Sequence, residues 1–118
     1  MISTGPATRV YLVLAATDMR KGYNGLHSLV SGYLKEDPLS GHLFVFANRS
    51  RDRIKVLCWD GSGLWICGKR LEKGRFSWPD KMEADGKLRL SNTEFSMLVG
   101  GIDLKTGRGK SWWRKNEK

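Results

Sequence analysis

The sequence predicts an α+β domain: an antiparallel β-meander of four to five strands packed with one longer N-terminal helix and a short C-terminal helix. Three observations carry that expectation. Strand-length runs rich in β-branched and aromatic residues recur between turn signals, at Arg9–Ala15, His42–Asn48, Arg53–Asp60 and Leu64–Leu71. One longer segment, Met19 to Lys35, spaces its apolar residues at helical intervals instead. The chain has 118 residues, 40% of them apolar, with five Trp, four Phe and three Tyr, which suits one compact domain with a real core.

The elements follow in order. Arg9–Ala15 (RVYLVLA) reads as a buried strand. Thr17 or Asp18 is placed to cap a helix from Met19 to about Lys35, with Met19, Tyr23, Leu26, Val30, Tyr33 and Leu34 as its buried stripe. Gly22, Gly25 and Gly32 each weaken that helix by about 1 kcal/mol against Ala, so it depends on packing against a sheet. Asp37-Pro38 and Gly41 stop it. His42–Asn48 (HLFVFAN) is the next strand, a turn covers Asn48–Asp52, and Arg53–Asp60 (RIKVLCWD) returns. Asp60-Gly61-Ser62-Gly63 is a hairpin turn with Gly61 suited to a positive φ. Leu64–Leu71 completes the meander, and Arg75–Trp78 is a candidate for a further short strand. Lys87–Leu90 reads as an edge strand. Ser91 and Glu94 fit a capping box for a second helix carrying Phe95, Leu98, Val99 and Ile102. Residues 1–104 are thus read as one domain, and 105–118 as a basic tail expected to be flexible.

The hairpin register follows from the loop lengths. A two-residue Gly61-Ser62 loop pairs Trp59 with Leu64 and Cys58 with Trp65, and a four-residue loop at Arg49–Asp52 pairs Asn48 with Arg53. One sheet face then carries Leu43, Val45, Ala47, Ile54, Val56, Cys58, Trp65 and Cys67, and is core. The other carries Phe44, Phe46, Arg53, Lys55, Leu57, Trp59, Ile66 and Arg70. That second face has two readings. Its aromatics can stack on unpaired bases while its cations neutralise phosphates. Alternatively it is a second covered apolar face, with long basic side chains snorkelling at its rim.

Charge narrows the partners. Lys and Arg number 21 against 12 Asp and Glu, a formal net charge of +9. The segments Arg49–Lys55, Lys69–Arg75 and Lys105–Lys118 carry +3, +3 and +5, so the remainder carries −2. An excess this local suits a polyanion-binding surface, with nucleic acid the commonest partner and an anionic membrane the next. A simply solvated set of surface cations is the plain alternative. A second candidate site is Thr17–Gly22, where free backbone N–H groups with Arg20 and Lys21 suit a phosphate; a plain cap explains Asp18 as well. The tail, with Trp112-Trp113, is a third, and the Lys69–Arg75 loop a fourth.

Several classes are set aside. No stretch reaches the ~18–20 apolar residues of a membrane span, and the N-terminus shows no secretory pattern. Cys58 and Cys67 form neither a metal spacing nor a redox pair, and their diagonal placement argues against a relaxed disulfide, so a reducing, cytoplasmic setting is expected. His27 and His42 lack paired ligands. No nucleophile elbow, P-loop or GxGxxG occurs, and Asp18, Asp37, Asp60 and Glu94 make a weak two-metal set, so no catalysis, metal or cofactor is expected.

The blocks TDMRKG at Thr17–Gly22 with Gly25-Leu26, then Asp37-Pro38 and SGHLFVF at Ser40–Phe46, stand in a recognisable order. They continue with DRIKVL at Asp52–Leu57, Trp59-Asp60-Gly61, Gly63-Leu64, KRLEKGRF at Lys69–Phe76 and Trp78-Pro79. Over roughly residues 9 to 103 this ordered set resembles the TnpB accessory proteins of the insertion sequence 66 family. The resemblance implies an accessory to DNA transposition, encoded beside a separate transposase that carries the acidic catalytic residues. It implies no kinship with the RNA-guided nucleases that share the TnpB label. Three departures stand out: Cys58 where an aromatic is common, Gly68 where a bulkier residue is usual, and Leu104 where Trp is expected.

Together these features predict a non-catalytic accessory protein that binds nucleic acid through a basic surface and assists a transposase. The expected contacts are Arg20, Lys21, Arg49, Arg51, Arg53, Lys55, Lys69, Arg70 and Arg75, with Trp59 as the exposed aromatic. The alternative is a protein-interaction module that contacts the transposase or another accessory protein of the same element without touching DNA.

Overall fold

The computed structural model describes residues 7–79 and 85–101. The elements are β1 (Val10–Val13), α1 (Tyr23–Ser28), which continues as a π-helical stretch Leu29–Tyr33, β2 (Leu43–Ala47), β3 (Arg53–Trp59), β4 (Leu64–Arg70), β5 (Lys87–Leu90) and α2 (Asn92–Val99). The five strands form one sheet in the order β4-β3-β2-β1-β5.

The loop-length register holds. Trp59 pairs with Leu64, Cys58 with Trp65 and Ala47 with Ile54, while the Asn48 N–H reaches the Arg53 carbonyl at 3.2 Å. Gly61 takes a φ of +102°, as the first position of that tight loop requires. The expected all-antiparallel meander is corrected in one respect. β2, β3 and β4 do form a meander, but β1 runs parallel to β2 and lies between β2 and β5. The cause is the helix between β1 and β2, a crossover that returns the chain to the same end of the sheet. β1 consequently has neighbours on both edges and is buried at every position. Residues 75–78 do not add a strand. Phe76 N–H instead binds the Arg51 carbonyl (2.7 Å), and Trp78 Nε1 donates to the Val13 carbonyl (3.2 Å).

Both sheet faces are covered. Val10, Leu12, Leu43, Val45, Ile54, Val56, Leu90 and Leu98 form one core with Leu71 and Phe76. Tyr11, Val13, Phe44, Phe46 and Leu57 form the other against Leu26, Val30 and Leu34 of the helix. The second face is therefore the covered apolar one of the two readings. Phe44 and Phe46 are fully buried and offer no stacking platform.

The first helix is shorter than expected and starts later. Six α-helical residues are followed by five in π geometry, in place of Met19–Lys35. Gly22 is the N-cap and makes no side-chain cap. Thr17 and Asp18 do other work: the Thr17 N–H is held by the Ala47 carbonyl at 2.8 Å, and Asp18 is engaged by Arg20. Leu26, Val30 and Leu34 lie against the sheet, while Tyr23 at the helix start and Tyr33 at the end of the π stretch are exposed, so neither tyrosine belongs to the buried stripe. Its wide turn is closed by the Leu34 N–H on the Leu29 carbonyl (2.9 Å), and Lys35 then ends it at a φ of +58°. The C-terminal helix has the expected cap: Ser91 Oγ accepts from Glu94 N–H, and Glu94 accepts from Ser91 N–H.

Candidate nucleic-acid interface

The open end of the β3–β4 hairpin holds a cleft of about 540 Å³, lined by Arg53, Ile54 and Lys55 of β3, Gly68, Lys69 and Arg70 of β4, and Met19 and Glu72 from the flanking loops. The ladder explains why its cations converge. The Asp60 N–H binds the Gly63 carbonyl at one end and the Leu71 N–H binds the Asp52 carbonyl at the other. Bonded and non-bonded pairs alternate between them, so Arg53 and Arg70 face each other as a non-bonded pair. That is the closer kind, with Cα atoms about 4.5 Å apart. Lys55 follows two residues along, opposite Gly68, whose missing side chain leaves the cleft open. Like charges directly opposite across strands repel. Arg70 makes only a 3.3 Å exposed ion pair with Glu72, and the Arg53 guanidinium has no partner among the described residues.

Lys55 has a second task. Its Nζ donates to the Met19 carbonyl at 2.7 Å and to the Lys21 carbonyl at 2.9 Å, tying the loop before α1 to the sheet. The loop is further held by Asp18, whose carboxylate takes Arg20 Nε and Nη2 (2.7 Å to the latter) and the Arg20 N–H (2.9 Å). Hydrogen bonds from Arg20 lower the Asp18 pKa to about 2, and the pairing raises that of Arg20. An anion at this loop therefore has to compete with a carboxylate already in place.

The expected contact residues divide accordingly. Arg53, Lys55, Lys69 and Arg70 share the cleft; Arg20, Lys21, Arg49 and Arg75 are exposed but do not line it. Lys69 also serves α2, donating from Nζ to the Val99 carbonyl at 2.6 Å, where a cation suits the helix C-terminus. Arg51 turns inward: its guanidinium donates to the Leu14 carbonyl (3.2 Å) and lies over the Trp78 ring at 5.2 Å. Burial lowers its pKa.

Trp59 is half-buried, whereas Trp65 is 48% exposed and donates from Nε1 to Asp60 Oδ2 at 2.6 Å. Asp60 also accepts from the Ser62 and Gly63 N–H groups, and these bonds hold its carboxyl well below the usual carboxylate range. Trp65 lies on the face expected to be core. It stays exposed because β4 is an edge strand, which alternation alone does not reveal. Met19 and Glu72 line the cleft from within the Thr17–Gly22 and Lys69–Arg75 candidate segments, and Gly68 lines it from β4, though none of the three was an expected contact. The only signal for Gly68 was its departure from the family pattern.

Cys58 and Cys67 are free thiols, and burial raises the pKa of Cys58. His42 Nδ1 accepts the Arg9 N–H at 2.9 Å, a structural role. Among the described residues no group of three or more His, Cys, Asp or Glu is placed to hold a metal, and no helix is long and apolar enough to cross a membrane. The Lys105–Lys118 tail lies outside the described residues.

The family profile described as "IS66 Orf2 like protein" matches residues 8–109. The chain is 41% identical over 103 residues to the "Uncharacterized protein y4jC" of Sinorhizobium fredii (strain NBRC 101917 / NGR234), covering 87% of this chain and 86% of that protein. It is 41% identical over 103 residues to the "Uncharacterized protein y4hO" of the same strain, covering 87% and 88%. No solved structure matches.

Proposed function

We propose, from the premise that this chain belongs to the IS66 Orf2 like family and is a transposition-associated accessory protein, that it binds nucleic acid through the phosphates. The grip is the cleft of Arg53, Arg70 and Lys55, flanked by Lys69, with no catalytic step of its own. The observation that supports this most is the facing pair Arg53 and Arg70. Two arginines directly opposite in the closer, non-bonded kind of cross-strand pair raise the local potential, and a phosphate held between their side chains relieves the repulsion with charge-assisted hydrogen bonds. Lys21, Arg49, Arg75 and Arg20 extend the positive field around the cleft. With Phe44 and Phe46 buried and Trp59 half-buried, base stacking contributes little, and the binding is read as electrostatic and sequence-tolerant.

Electrostatic binding releases counterions, so affinity falls as salt rises, with a log–log slope of roughly −0.9 per phosphate neutralised on duplex DNA. Titration of labelled terminal-repeat DNA at two salt concentrations tests this. The Arg53→Ala/Arg70→Ala variant should bind more weakly and flatten the slope by about 1, the phosphate held between the two side chains. No binding by the parent chain even at low salt rejects the reading. It would favour the alternative of a protein-interaction module that meets the transposase or another accessory protein directly. Half-exposed Trp65 beside the apolar groove between β4 and α2 supports that second reading.

A further inference from the structure

The two edges of the sheet differ in kind. β5 is four residues long, and its Lys87 turns inward to Glu36 (2.7 Å) and the Leu34 carbonyl (2.8 Å), a charge that discourages further strand pairing. β4 is seven residues long, pairs with β3 at every position without a bulge, and contains no proline. The alternation of its ladder sends the N–H and C=O groups of Leu64, Ile66, Gly68 and Arg70 outward, and none has a partner among the described residues.

We propose that β4 is the site at which a second copy of this chain adds, antiparallel, about a twofold axis through Cys67, making one continuous sheet of ten strands from two sheets of five.

The outward groups choose the register. Two strands related by a twofold axis use all four of these positions only when Leu64 meets Arg70 and Ile66 meets Gly68, which centres the axis on Cys67. In that register Lys69 stands opposite the partner copy's Trp65, bringing a cation to an indole that the monomer leaves half-exposed. No cation faces a cation across the seam, whereas a register shifted to centre on Lys69 would oppose the two lysines directly. Cys67 faces its own copy in a non-bonded pair, with Cα atoms about 4.5 Å apart, inside the range a disulfide can span. Both Arg53–Arg70 clefts then open on the same side of the joined sheet. The inference does not rest on the nucleic-acid reading, and its test uses no DNA.

Sedimentation of the full chain under reducing conditions should show a concentration-dependent monomer–dimer equilibrium. Mild oxidation should trap a disulfide-linked dimer in the parent and in Cys58→Ser but not in Cys67→Ser, which should still dimerise reversibly. Gly68→Pro removes an outward N–H without touching the β3 ladder and should be monomeric. Amide exchange should slow with rising concentration at Leu64, Ile66, Gly68 and Arg70, a readout that stands even if the proline variant fails to fold. A chain monomeric at every concentration overturns the proposal. So does a dimer that neither cross-links through Cys67 nor protects those four amides, or a β4 edge that pairs only with a strand of another protein.

Discussion

Arg51 shows how little a count of cations says about which of them can bind. It stands in a segment of net charge +3, yet its φ of +60° and inward guanidinium make it a strut between the β2–β3 turn, the end of β1 and Trp78. Arg51→Ala should lower stability by about 2 kcal/mol, since a charged hydrogen bond and a ring contact are lost together. Urea unfolding checks this, with the salt slope of DNA binding unchanged. Asp18 is the acidic counterpart, read from sequence as a cap and found binding Arg20 in the turn before the helix. Its folded pKa of about 2 lies below the ~3.9 of an unfolded chain, so it contributes stability above pH ~4 that is lost as pH falls toward 2. Carboxyl NMR titration should place its midpoint near 2, and Arg20→Ala should move it back up toward 4. Neither role was legible, because the Leu14 carbonyl that Arg51 meets is distant in sequence and the fork of Arg20 on Asp18 forms only in the turn geometry.

At the scale of elements, the meander strands and the Ser91 cap were legible, while the first helix and its cap were not. Loop lengths of two and four residues set the β2–β3–β4 register, because antiparallel pairing leaves no freedom once the turn is closed. The capping box at Ser91 and Glu94 is equally local, and it formed as read. Ser91→Ala should cost about 1 kcal/mol, measured as a lowered thermal midpoint, with the fold unchanged by circular dichroism. The first helix follows a different logic. Helical spacing from Met19 onward suggested one long rod, but Lys55 holds the Met19 and Lys21 carbonyls in the preceding loop and delays the start to Tyr23. Leu26, Val30 and Leu34 lie against the sheet, while Tyr33 at the end of the π stretch is exposed.

Across the whole molecule, two apolar layers on either face of a five-stranded sheet leave the cations at its rim, and only some of them meet. Because the Arg53–Arg70 cleft lies outside both cores, binding and stability should separate. The Arg53→Ala/Arg70→Ala variant should match or exceed the parent in urea midpoint while losing DNA affinity, since removing an opposed like-charge pair takes strain out of the hairpin. A variant that binds weakly and also unfolds early would instead mark the two arginines as part of the scaffold. The same sheet order that makes β1 central leaves β4 as the long free edge on which self-association is proposed.

By itself the sequence determined the family, the mixed α+β class, the hairpin registers and the helix cap, because each depends on residues close together along the chain or on an ordered set of motifs. Only the tertiary structure decided the parallel placement of β1, the covering of the Phe44 and Phe46 face, the inward turn of Arg51 and the facing of Arg53 with Arg70 across an open cleft. Those outcomes depend on what packs against each surface, and alternation along a strand says which residues share a face but not what lies above it.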